Sequence, residues 1–151
     1  MPSKAATGRS AASRRLGYLI AIIVNGALLF LINDSPGWRS AAFLTSSTTQ
    51  VIGVVNLALA VSLAANVAYL AHDARWLRAL GDLATTSVGL AAALAIWQVF
   101  PFAFHGSASG WSVVVRVLVM IGIVGSCIAI VVNLVLLARA AGGAGRPSPR
   151  H

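Results

Sequence analysis

VVVRVLVMIGIVGSCIAIVVNLVLLA, residues 113–138, carries a single charge, Arg116, and that charge stands near its start. A helix crosses roughly 30 Å of hydrocarbon with about 20 apolar residues, and this run is long enough to do so. Three more runs of similar character precede it: residues 16–32, 51–71 and 83–102. The two middle runs contain no charged side chain. Backbone groups in lipid must bond within their own segment, which makes helices the expected form. The short alternating strands of a transmembrane barrel are not visible. The expectation is an all-α, polytopic membrane protein: a four-transmembrane-helix bundle over residues 16–138. A basic tail flanks it on each side, residues 1–15 and 139–151.

The composition of the 151-residue chain agrees with that reading. Hydrophobic residues make up 58% and charged residues 9%, against roughly 45–50% and 25% in a soluble domain. The formal charge of +8 invites a nucleic-acid interpretation, but its distribution does not. Lys4, Arg9, Arg14, Arg15, Arg146 and Arg150 lie in the tails, with no aromatic residue until Tyr18. A nucleic-acid module gathers its basic residues on a folded face. Arginine is favoured over lysine and Ala, Gly and Val are abundant, a pattern that points to a GC-rich bacterial source.

The first run resembles a signal peptide, because a basic segment precedes an apolar core. Signal cores run about 7–15 residues and end at a small-x-small site. This one is longer and exits into the turn sequence Asn33-Asp34-Ser35-Pro36-Gly37. It is expected to remain as the first crossing. Orientation follows from Lys and Arg in the short loops. With four crossings, Lys4, Arg9, Arg14, Arg15, Arg75, Arg78, Arg139, Arg146 and Arg150 share one side. Only Arg39 and Arg116 fall on the other. Both termini are therefore expected in the cytoplasm, with the chain in the plasma membrane. Trp38, Trp76 and Trp111 are candidate interface anchors, and Trp76 falls in a turn expected over residues 72–82. Arg116 is expected to snorkel to the outer interface or to pair with Asp34.

Polar groups inside apolar runs are costly and are the usual pointers to function. Here they are neutral: Asn25, Asn56, Ser62, Asn66, Thr85, Thr86, Ser87, Gln98, Ser126 and Asn133. No Asp, Glu, Lys or His lies deep in a run, which argues against proton-coupled pumps and exchangers. The lone cysteine, Cys127, can form no internal disulfide and belongs to no Cys-x-x-Cys pair. His105 has no ligand partner nearby in the chain. No cofactor and no catalytic residue is indicated. Small residues and asparagines suit close helix packing, with interhelical hydrogen bonds of about 0.6–2 kcal/mol each. Asn25, Asn56, Asn66, Gln98 and Asn133 are thus candidate interhelical contacts. Alternatively, they line a neutral polar pathway, with Asn56 and Gln98 outermost, Asn25 central, and Asn66 and Asn133 innermost.

The glutamate on which small multidrug exporters rely is missing from the first helix. So are the paired aspartates of lipoprotein signal peptidases and the Cys-x-x-Cys of vitamin K epoxide reductase relatives. The segment Trp97-Gln98-Val99-Phe100-Pro101-Phe102-Ala103-Phe104, with the preceding Asp73-Ala74-Arg75-Trp76, resembles uncharacterised small four-helix bacterial membrane proteins. Such relatives carry an Arg near Gln98 and an Asp near Ala103, and this sequence has neither. The resemblance implies four helices and no particular activity. The functional expectation is a non-enzymatic accessory or assembly subunit whose partners are the lipid bilayer and other membrane segments. Those segments belong to a homo-oligomer or a larger membrane complex, with no nucleic acid involved. A small channel or facilitator using the asparagine pathway is the alternative.

Overall fold

A computed structural model describes residues 4–72, 74–103 and 110–143, with side chains from Ala11 to Arg139 within those ranges. Asp73, Phe104, His105, Arg146 and Arg150 lie outside the described residues, as do the side chains of Lys4 and Arg9. The described residues form four α-helices in order: α1 (Lys4–Asn33), α2 (Ile52–Ala71), α3 (Arg75–Val99) and α4 (Trp111–Gly143). Two short 3-10 turns, Trp38–Ser40 and Ser46–Gln50, lie in the α1–α2 connection. Among the described residues there is no strand, only an isolated antiparallel bridge between Leu44 and Phe102.

Three helices, α1, α3 and α4, are longer than their apolar runs, while α2 matches its run to within one residue. α1 begins at Lys4, where a separate basic tail to residue 15 is expected. Alanine and arginine are strong helix formers, and extending an existing helix needs no new nucleus. α3 begins at Arg75, so the expected turn over 72–82 shrinks to the residues between Ala71 and Arg75. Charges end a hydropathy run there, but Arg75-Trp76-Leu77-Arg78-Ala79-Leu80 has no reason to leave a helix. At its other end α3 stops at Val99, before the expected limit of 102. Pro101 disfavours helical geometry at the residue before it, and Phe100 takes a left-handed conformation with φ of 41°. α1 ends where the Asp34 and Gly37 amides donate to Phe30 and Leu31 carbonyls at 2.8 and 2.9 Å. Gly37 has φ of 75°, a conformation open to glycine at little steric cost.

Each helix packs extensively on its neighbours in the chain, α1 on α2, α2 on α3 and α3 on α4. Contacts between successive helices run antiparallel, which brings the start of α1 and the end of α4 to one end of the bundle. Little is buried: Val51, Tyr69, Ala92 and Thr48 lie below the surface, with Pro101 fully enclosed. Large apolar side chains such as Ile23 and Ile121 are 68% and 62% exposed. A contiguous apolar exterior of this extent marks contact with lipid or with other proteins. All four helices are long and apolar enough to cross a membrane.

Candidate functional site

The polar residues of the bundle form ties between helices. Along the α1–α2 seam there are three, about two helical turns apart. Tyr18 and Tyr69 meet at the end near the termini, with ring centroids 5.4 Å apart and planes tilted by 59°. In the middle, the Asn25 side-chain amide donates to Ser62 Oγ at 3.1 Å and to the Ala21 carbonyl at 2.8 Å. At the loop end, Asn33 and Asn56 exchange side-chain hydrogen bonds of 3.0 and 2.6 Å. Tyr18, Asn25 and Asn33 are spaced so that one face of α1 carries all three ties. Asn66 instead donates to the Ser62 carbonyl of its own helix at 2.7 Å.

The α2–α3 tie is a latch. Tyr69 is buried, and its hydroxyl lies 3.0 Å from Asp82 Oδ1 and 3.2 Å from the Arg78 carbonyl. The single phenolic proton can be donated to one acceptor at a time. The hydroxyl occupies the space beside Gly81 that a side chain would fill. Asp82 thus lies inside α3, two turns from its start, whereas the limits of the apolar run put it in the turn over 72–82. Sequence reasoning also passed over Tyr18, Asn33 and Tyr69.

α3 and α4 enclose an open groove of about 440 Å³ lined by Thr85, Thr86, Gly89, Gly122, Gly125 and Ser126. Nearer the loop end, the Arg116 guanidinium stacks over Phe100 at 4.0 Å and stands 5.8 Å from the Trp97 ring centroid. Cation–π contacts hold it, and it forms no ion pair with Asp34. Gln98 is exposed on α3 and Asn133 is half-buried on α4, and neither shares the α1–α2 seam. The structure therefore joins Asn25 and Asn56 in one set of ties but does not bring all five candidate residues together. Trp76 and Trp111 are 62% and 60% exposed, whereas Trp38 is half-buried.

At the loop end the α1–α2 connection is stitched to the segment after α3. The Thr45 amide donates to the Pro101 carbonyl at 2.9 Å, and the Ala103 amide donates to the Phe43 carbonyl at 2.8 Å. Phe43 stacks on Phe102 with centroids 6.5 Å apart, and Phe102 meets Phe100 edge-on at 5.5 Å. Beneath this lies an apolar cavity of about 230 Å³, whose walls include Trp38, Phe43, Val51, Val55, Ile96 and Pro101. The Thr48 side chain also borders it, and its hydroxyl is buried without a hydrogen-bond partner. Among the described residues, no three His, Cys, Asp or Glu side chains gather where a metal could be held.

An all-helical chain with four apolar helices of spanning length is a multi-pass membrane protein. Comparison with protein-family models, with curated proteins and with solved structures finds no match to this chain.

Proposed function

We propose that the protein is a non-enzymatic accessory or assembly subunit of a bacterial plasma membrane, with both termini in the cytoplasm. The observation that supports this reading is the open row of helices. α1 packs extensively on α2 alone and α4 on α3 alone, and the spanning windows of both outer helices contain no buried residue. These two edges are where other membrane segments would seat, from a second copy or from a larger complex. The charge distribution supports the orientation, since the sequence puts only two of its Lys and Arg residues, Arg39 and Arg116, in or beside the loops of that side. Purification in mild detergent after crosslinking in native membranes should recover a defined oligomer or a stoichiometric partner. A strictly monomeric protein with no crosslinked partner contradicts the proposal.

The channel alternative draws less support. Asn25 bonds to Ser62, Asn33 bonds to Asn56, and Asn66 turns onto its own helix, so these amides are engaged in bonds within and between helices. Alanine at Asn25, Asn66 and Asn133 should weaken the bundle. Loss of solute flux in liposomes with stability unchanged would revive the channel.

A further inference from the structure

Two cavities at the loop end share a wall. The first, about 230 Å³, exposes only apolar atoms. The second, about 240 Å³, lies between the end of α1 and the Trp38–Ser40 turn, and Asp34 and Arg39 are in its lining. Ile32 and Trp38 belong to both. An apolar lining of this kind, with no exposed polar atom to hold water, favours an apolar occupant. Asp34 and Arg39 form no ion pair with each other, so the second recess offers a carboxylate and a guanidinium held apart. The Arg39 guanidinium lies 5.3 Å from the centroid of the Trp38 ring, and Trp38 lines both cavities.

We propose that the paired cavities bind one phospholipid with a zwitterionic headgroup. One acyl chain enters the apolar cavity, the phosphate meets Arg39 and the headgroup ammonium meets Asp34. Trp38 stands between chain and headgroup, the level at which an amphipathic indole settles in a bilayer. An anionic headgroup with no ammonium satisfies Arg39 and leaves Asp34 repelling it. The preference therefore runs toward phosphatidylethanolamine over phosphatidylglycerol. This rests on the membrane placement but not on the subunit reading, because a lipid site can exist in a monomer.

The test is native mass spectrometry of the full chain in mild detergent, with equal amounts of phosphatidylethanolamine and phosphatidylglycerol carrying identical acyl chains. One lipid should be retained, with phosphatidylethanolamine favoured about threefold, as expected for exposed charge contacts. Asp34→Asn combined with Arg39→Gln should bring the two lipids to parity, and both positions are exposed, so folding should survive. Val55→Phe should fill the apolar cavity and reduce retention of both lipids, with Leu44→Phe as the second variant if the first does not fold. Equal retention of the two lipids by the unaltered protein overturns the proposal. A preference that persists in the double charge variant overturns it as well.

Discussion

Replacing Gly81 with alanine puts a Cβ onto the Tyr69 hydroxyl, with ring atoms at 2.7 and 2.8 Å, so the latch between α2 and α3 must open. Overpacking of this kind costs about 1–3 kcal/mol. Tyr69→Phe removes only the hydroxyl and its bond to Asp82, at a cost of about 1 kcal/mol. The two changes share one space, so their effects should not add. Gly81→Ala should cost at least about 0.5 kcal/mol less in the Tyr69→Phe background. Unfolding in mixed micelles measures all four members of the cycle, and simple additivity argues against the latch. Thr48 should behave in the opposite sense. Its buried hydroxyl has no partner, and valine keeps the shape without the polar atom. Thr48→Val should raise stability by about 1 kcal/mol in the same assay. A loss of stability shows instead that the hydroxyl is bonded in the membrane.

At the scale of the elements, the three ties along the α1–α2 seam make a claim about pairing. Asn25→Ala and Ser62→Ala should each destabilise the bundle, and their cycle should give a coupling of about 0.6 kcal/mol. Asn25→Ala with Ser126→Ala, on helices not packed extensively together, should give none. The existence and order of the four helices were legible because apolar runs of spanning length have few alternative readings. The ends were not, because hydropathy reports where lipid stops and not where backbone hydrogen bonding stops. Arg75 to Asp82 illustrates this: the segment is too polar for the run yet entirely helical. Asn25 and Asn56 could be picked out as polar in an apolar setting, but their partners depend on helix rotation and register. That is why the bond to Ser62, the pairing with Asn33 and the Tyr69–Asp82 contact emerge only from the fold. Pro101 accounts for the end of α3 at Val99, short of the expected limit of 102, and Pro101→Ala should let the helix continue and loosen the stitch to Thr45.

For the molecule as a whole, every tie follows from the helices crossing in alternating directions. Tyr18 meets Tyr69 at the terminal end while Asn33 meets Asn56 at the loop end, which an antiparallel pair alone allows. Arg116 over Phe100 closes the last pair in the same sense. The exterior is apolar and the ties between helices are mostly neutral, as suits four helices of spanning length. The central proposal is that the four helices cross with both termini in the cytoplasm. Single cysteines at Ser13, Ser47, Ala74 and Gly110 in a Cys127→Ser background, labelled with a membrane-impermeant maleimide in intact spheroplasts, test it most directly. Ser47→Cys and Gly110→Cys should label from outside, and Ser13→Cys and Ala74→Cys only after permeabilisation. Labelling of Ser13→Cys and Ser47→Cys from the same side would contradict it.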